Sequence, residues 1–304
     1  MMGQSLHVID LDMELVGYRK FLSCWVYLTE DLTFIIDPGP AVTADHLIAS
    51  LRALGVSRLD FILNTHIHLD HSGGVAEVVR AYPGARVLCH ERGVEHLINP
   101  SRLWEGSRNV LGTVAEAYGP PMPMPEGAVA DPADVNRAGI AIVPTPGHAS
   151  HHLSFIHDAV LFAGEVAGLH AHLPGRIYLR PATPPRFILD VALDSIDRLL
   201  ALDPMPQQMV FAHYGMVDDP KTYLVRGREQ LVRWVDLVRE LTTEFTGSTE
   251  STESIADLSD RAHERLLEID PYYANFAHLE PDTQARERYY LKQTIQGMLG
   301  YVRP

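Results

Sequence analysis

Phe61-Ile62-Leu63-Asn64-Thr65-His66-Ile67-His68-Leu69-Asp70-His71-Ser72-Gly73-Gly74 is the stretch from which the rest of the chain is read. Leu59 to Leu63 is a short apolar run of the buried-strand type, and it leads into three imidazoles and a carboxylate within six residues. Amphipathic patterning gains nothing from such a cluster. Nitrogen and oxygen donors at this density suit zinc, iron or manganese, with His66 and His68 on one side of an extended loop and Asp70 and His71 turned the other way. That arrangement offers enough ligands for two metals. Gly73-Gly74 then lets the chain turn tightly into the next helix, whose N-terminal amides would sit near anionic groups.

Working outward, strand and helix signals alternate and argue an α/β fold. Ser5 to Leu11, Phe21 to Leu28 and Leu32 to Ile36 read as strands, the last two joined by a turn at Thr29 to Asp31. Thr43 is placed to cap a helix running through Leu54 and ended by Gly55. Beyond the cluster a helix runs to Tyr82, Pro83-Gly84 stops it, and Arg86 to Cys89 starts a strand. The pattern breaks from Pro100 to Asn136. Gly119-Pro120-Pro121-Met122-Pro123-Met124-Pro125 excludes a regular helix or central strand, so residues 100–139 are expected to form a long irregular insertion, either a functional lid or a disordered segment.

Strand signals resume at Ile140 to Val143, Leu153 to His157 and Val160 to Ala163. A helix from Arg186 to Leu200, a strand from Gln208 to Ala212 and a helix from Pro220 to Thr242 follow. Gly247 to Ser254 reads as a linker, and Ile255 to Ile269 and Pro281 to Tyr301 as two amphipathic helices. These boundaries predict a main domain at 1–245 and a linker with a helical extension at 246–304. The extension is too short to hold its own core, so it is expected to dock on the main domain or on a second subunit as a homodimer.

The chain has 304 residues, 46% of them apolar, and a net charge of −14. No basic run exceeds the pair Arg19-Lys20, which argues against a general nucleic-acid or anionic-membrane partner. Met1 to Asp10 lacks the pattern of a signal peptide, and no apolar stretch is long enough for a membrane span. Cys24 and Cys89 are too few for a disulfide framework and read as small core residues, so a cytoplasmic protein is expected. Of 16 histidines, eleven fall between His66 and His172.

His66 to His71 resembles the His, any residue, His, any residue, Asp, His motif of the metallo-beta-lactamase superfamily. Further motifs follow in the family's order. Leu32 to Gly39 looks like its strand ending in Asp and Gly, and Thr145-Pro146-Gly147-His148 like its third histidine motif. Leu161 to Glu165 falls where the family has its bridging acid, and Phe211-Ala212-His213-Tyr214-Gly215 matches the final histidine. The resemblance implies a four-layered αββα sandwich. It also implies that His66, His68 and His148 bind one metal, that Asp70, His71 and His213 bind another, and that Glu165 bridges them. The commonest pattern has Asp at the bridge, and the extra methylene of Glu165 bears on occupancy of the second site. Zinc is the first expectation, and iron and manganese suit the same donors.

Asp37 and Asp60, at strand ends flanking the loop, are candidates for holding metal-bound imidazoles, with strand-end capping the alternative for Asp60. His152 is a candidate neighbour of the site, and Tyr214 could present a phenol to an oxyanion or leaving group. His170 and His172, just after the bridging acid, could line the pocket and at i and i+2 form a loose metal motif, and Arg176 and Arg180 could meet an anionic substrate. The expected activity is a metal-dependent hydrolase of an ester-like bond in a small molecule. Thioesters or lactones come first, phosphoesters or sulfate esters next, with Asp70 orienting the water and accepting its proton. The extension resembles in outline the terminal helices of quinolone-response thioesterases. The alternatives are a mononuclear iron persulfide dioxygenase-like oxidoreductase and a non-catalytic metal-binding signalling module.

Overall fold

In the computed structural model, which describes residues 5–243 and 254–303, alternation of side chains along the strands builds two facing sheets. The first runs in the order β1 (Ser5–Asp10), β2 (Ser23–Leu28), β3 (Thr33–Ile36), β4 (Phe61–Leu63) and β5 (Arg86–Leu88). Its first three strands are an antiparallel meander, and β3, β4 and β5 are parallel. The second runs β12 (Met216–Val217), β11 (Gln208–Phe211), β8 (Val160–Gly164), β7 (Leu153–His157) and β6 (Ala141–Pro144), with β8 and β11 parallel.

Trp25, Tyr27, Phe34 and Leu63 of the first sheet face Phe155, Phe162 and Val210 of the second in one apolar cluster. Burying an aromatic side chain of this kind contributes about 2–3 kcal/mol. The residues between them in sequence point the other way. Cys24, Val26, Ile35 and Ile62 pack under α1 (Ala44–Ala53) and α3 (Val75–Ala81), and Leu161, Met209 and Phe211 under α8 (Leu189–Leu200) and α9 (Pro220–Thr243). The result is helix, sheet, sheet, helix, the layering that the resemblance implies. Cys24 and Cys89 are buried free thiols in the outer cluster. Among the described residues no helix is long and apolar enough to cross a membrane.

Two local readings differ. Thr43 does not cap α1 through its side chain; its hydroxyl donates to Pro40 O at 3.0 Å inside a 3-10 turn. The insertion is largely helical rather than irregular. After α4 (Glu91–Ile98) come α5 (Ser101–Leu111), α6 (Thr113–Tyr118) and α7 (Pro132–Arg137), and only the proline run between α6 and α7 is extended. Prolines break helices internally but start them well, and Pro132 lies in the first turn of α7. Residues 169–180 form a hairpin, β9 (Leu169–Leu173) and β10 (Arg176–Arg180), turned by Pro174-Gly175 with Gly175 at φ 68°.

The linker at 247–253 lies outside the described residues. Beyond it, α10 (Ile255–Ile269) and α11 (Pro281–Val302) dock on α9 and extend the outer cluster with Leu258, Ala262, Leu266, Ile295 and Met298. Asp270 pins this junction. Fully buried, it accepts from Gln230 Nε2 at 2.9 Å, Trp234 Nε1 at 2.7 Å, and the amides of Tyr272 and Tyr273 at 3.0 Å. Asp270→Ala would strand these donors, and we expect it to lower unfolding stability by about 3 kcal/mol. A urea titration checks this; a loss below about 1 kcal/mol would show that the junction is held by apolar packing alone.

Candidate metal centre

The clustered residues lie where parallel strands of both sheets end, the usual place for sites in such sheets. Asp37 follows β3, the loop 64–72 follows β4, Glu165 follows β8 and His213 follows β11, while His148, His151 and His152 sit between β6 and β7. Leu69–Ser72 forms a helical turn, α2, which swings Asp70 and His71 round from His66 and His68. The glycines after it serve space rather than unusual backbone angles, since φ is −57° at Gly73 and −87° at Gly74. A Cβ on Gly73 would lie 2.6 Å from Leu69 O and 2.8 Å from Ala41 N.

Three overlapping groups could each hold a cation, with ligand atoms within 4.8 Å of one another: His66, His68 and His148; Asp70, His71 and His213; and His66, His71 and Glu165. Glu165 spans the two halves. Its Oε2 is 2.6 Å from His148 Nε2 and its Oε1 2.6 Å from His213 Nε2. Two ligands on a tetrahedral metal with bonds near 2.1 Å lie roughly 3.4 Å apart. His68 Nδ1 to His148 Nε2 is 3.0 Å, His71 Nε2 to Asp70 Oδ2 3.6 Å, and His213 Nε2 to Asp70 Oδ2 3.8 Å. His66 Nε2 is buried with no hydrogen-bond partner among the described residues, a costly position that coordination would satisfy. The donor set, the 3.0, 3.6 and 3.8 Å spacings and the orphaned nitrogen fit divalent metal, whereas Glu165, 2.6 Å from both His148 and His213, stands at hydrogen-bond distance from them.

The surroundings set each tautomer. Thr65 Oγ1 donates to Asp37 Oδ2 at 2.7 Å, so it accepts from His66 Nδ1 at 3.1 Å and leaves His66 Nε2 for the cluster. Asp37 Oδ2 also accepts from His71 Nδ1 at 3.1 Å, freeing His71 Nε2. Asp37 has φ 53°, a left-handed angle that Asp tolerates better than most residues, and its Oδ1 takes the Thr65 amide at 2.7 Å. His148 Nδ1 donates to Ala182 O at 3.2 Å, again leaving Nε2 for the cluster.

His152 holds Glu165 in place. Its Nε2 accepts the Glu165 amide at 3.0 Å, so its Nδ1 donates to Thr145 Oγ1 at 2.8 Å. The chain continues through Ser154 Oγ at 2.9 Å to Ala163 O at 3.0 Å. Gly164, at φ 64°, makes this possible, because a Cβ there would collide with the His152 ring.

Burial and the neighbouring imidazoles hold His66 and His68 well below the usual histidine range, so both are neutral and ready to coordinate. Burial also pulls His71 down, but Asp70 and Asp37 outweigh it and hold His71 up to about 10. Burial pushes Glu165 up, yet His148 and His213 keep it well below the carboxylate range.

Two candidates fall elsewhere. Asp60 precedes β4 and so lies at the opposite end of the sheet from the cluster. It accepts the Thr33 amide at 2.8 Å and pairs with Arg58 at 3.0 Å, which makes it a strand-end cap. Tyr214 is half-buried and is not among the residues lining the cleft. His170 stacks on Phe211 with ring centroids 4.9 Å apart, a packing role, and Arg176 is exposed.

The cluster opens into a cleft of about 990 Å³ walled by α5 of the insertion and by α11. Sequence reading had no handle on three phenols that meet above it. Tyr290 of α11 bonds Tyr18 at 2.6 Å and Tyr118 at 3.0 Å, linking residues 272 and 172 positions apart.

Two outcomes are expected of the centre itself. Asp37→Ala should weaken zinc binding about 10–100-fold in a chelator competition, and unchanged affinity would contradict the role given to Asp37. At pH 8, below the raised value of His71, the metal-free ring carries a proton that it must lose to coordinate. Zinc addition should therefore release protons, read with a pH indicator, with the His71 contribution vanishing above about pH 10; proton-neutral binding at pH 8 would contradict this protonation state.

Comparison with known proteins agrees with this geometry. Residues 18–213 match the model of the metallo-beta-lactamase superfamily, and the match ends at the last histidine of the cluster. A metallo-beta-lactamase fold-containing protein of Sulfurisphaera tokodaii is 30% identical over 211 residues, covering 66% of this chain and 76% of its own. A hydroxyacylglutathione hydrolase of Aeromonas salmonicida is 29% identical over 184 residues, 59% of this chain and 56% of that enzyme. The crystal structure of an archaeal metallo-beta-lactamase superfamily protein from Sulfolobus tokodaii superposes with a TM-score of 0.61 at 25% identity, covering 91% of this chain and 100% of that one. By the family match, and with the cluster assembled at the strand ends, this chain belongs to the metallo-beta-lactamase superfamily.

Proposed function

We propose that the protein is a metal-dependent hydrolase of an ester-like bond in a small molecule, thioesters or lactones first and phosphoesters or sulfate esters next. The observation that carries this reading is the cluster's position: seven potential ligands converge at the floor of a cleft sized for a small molecule. The hydroxyacylglutathione hydrolases among the relatives support the same class. Divalent metal bound there would bring water toward ionisation at neutral pH and polarise the bond under attack.

The chain's own groups do the rest. His66, His68 and His148 present neutral nitrogens to one half of the centre, and Asp70, His71 and His213 serve the other, with zinc the first choice of metal. Asp70 is partly exposed to the cleft, so its carboxylate is placed to orient an attacking water and accept its proton. Phe21, Ile67, Leu69 and Leu103 give the cleft apolar walls that exclude bulk water around a bound acyl chain. The phenols of Tyr118 and Tyr290 stay protonated, because burial, with the Asp70 charge adding to it, holds both well above the usual tyrosine value. With Tyr18 they share three hydroxyl protons, two of which are taken by their mutual bonds, so the triad keeps one O–H to donate.

The test is a panel of small thioesters, lactones, phosphoesters and sulfate esters offered to zinc-loaded protein. Asp70→Asn should lower kcat/KM on the preferred substrate by about 10²–10⁴-fold. Retained zinc with no turnover across the panel would sink the reading, and one bound iron with persulfide-dependent oxygen uptake would replace it with an oxygenase.

A further inference from the structure

Apart from the cluster, the cleft has a second charged wall, at the foot of α11. Arg180 ends β10 and is 2% exposed. Its Nε pairs with Glu287 of α11, its Nη1 donates to Pro181 O at 3.2 Å, and its guanidinium lies 5.4 Å over the Tyr290 ring. Its Nη2 is buried and has no hydrogen-bond partner among the described residues, although Arg180 lines the cleft. Glu287 cannot satisfy it. Tyr178 Oη donates to Glu287 Oε2 at 2.9 Å, and Arg286 occupies Oε1 from Nε at 3.0 Å and Nη2 at 2.8 Å.

Two guanidiniums therefore share the Glu287 carboxylate, and the Nη2 donor of Arg180 is left over. A buried charged donor without an acceptor is expensive, and packing alone gives no reason to keep it. The location ties it to the metal centre: two residues past Arg180, Ala182 O takes the Nδ1 proton of His148 at 3.2 Å. The Glu165 carboxylate, too, is near enough to favour the charged guanidinium, though less than Glu287 does.

We propose that Arg180 Nη2 is the recognition group for a substrate carboxylate, held against the α11 wall beside the bond that is cut. This rests on the hydrolase reading and narrows its substrates to those carrying a free carboxylate. The planar guanidinium suits that planar anion, and its rigid anchorage by Glu287 and Pro181 means little freedom is lost on binding. Phe21, Ile67, Leu69 and Leu103 would take the uncharged part of the molecule, while Arg92 and Arg102, which also line the cleft, are exposed on its α4 and α5 side.

The test uses a pair of ligands that cannot be hydrolysed at the reacting position. Levulinate carries a ketone where the substrate would carry its scissile carbonyl, together with a carboxylate, and 2-hexanone keeps the ketone but has neither the charge nor a bond to hydrolyse. Calorimetric titration of zinc-loaded protein should find levulinate at least about tenfold tighter, the scale of one charge-assisted hydrogen bond. The preference should persist, reduced, after zinc is stripped, and Arg180→Met should bring the two affinities within about threefold. Arg180→Lys, which keeps the charge without the fork, should retain part of the preference.

Equal affinity of levulinate and 2-hexanone in the wild-type protein would overturn the proposal whether or not the variants fold. So would a preference that disappears with zinc, because the metals would then be its source, and so would a preference undiminished in folded Arg180→Met. The two readings fail separately: the levulinate preference without turnover of carboxylated thioesters removes the hydrolase, and turnover blind to charge removes the subsite.

Discussion

The structure is organised around one constraint: five imidazoles and two carboxylates crowd into a space from which water is largely excluded. Without a cation such a set is poorly matched. His66 Nε2 is buried with no hydrogen-bond partner among the described residues, and His71 takes up a proton against the pull of its own burial because Asp70 and Asp37 flank it. Protein interiors tolerate polar groups only when their partners are present. The cluster is thus arranged for partners of positive charge, and the surrounding hydrogen bonds carry the same instruction. Asp37, Thr65, Ala182 and the His152–Thr145–Ser154 chain each fix a ring or a carboxylate so that its free donor atom faces inward. Backbone conformation bends to the same end, with left-handed angles at Asp37 and Gly164 beside the residues they aim.

The parts outside the family match build the opposite wall. The extension is pinned to α9 through Asp270 and to the β9–β10 hairpin through Arg180 and Glu287. Tyr290 then joins it to the insertion and to the segment after β1 through Tyr118 and Tyr18. Three segments distant in sequence become one lining, so the cleft exists only in the assembled chain. Its chemistry is mixed: candidate metal ligands at the floor, apolar side chains along the walls, phenols above, the Arg180 guanidinium at the α11 side and Arg92 and Arg102 on the α4 and α5 side.

The ligand loop was legible in the sequence because its information is local. Six residues hold four donors, and no packing pattern yields that density. Asp37 and Asp60 looked alike as strand-end acids, but the loop leaves the C-terminal end of β4, so only the acid at the C-terminal end of β3 could reach it. The inner and outer faces of the sheets were readable from alternation once strands were assigned. The proline run is non-helical, as its composition requires, but it says nothing of its neighbours, which are helices. What is hidden is long-range. Arg180 and Glu287 are 107 residues apart, and Arg180 Nη2 is left without an acceptor because Arg286 takes the other oxygen of the same carboxylate. Nothing local in Gly175-Arg176-Ile177-Tyr178-Leu179-Arg180 reports that competition.

The central claim is that these seven residues are a metal centre, and metal content tests it most directly. Protein saturated with zinc and freed of excess metal should carry two zinc ions per chain by elemental analysis. The His66→Ala and His213→Ala double variant, which removes a ligand from each half while the sheets remain packed, should carry fewer than one. A wild-type chain that retains essentially none, or a folded double variant that still holds two, would contradict the account.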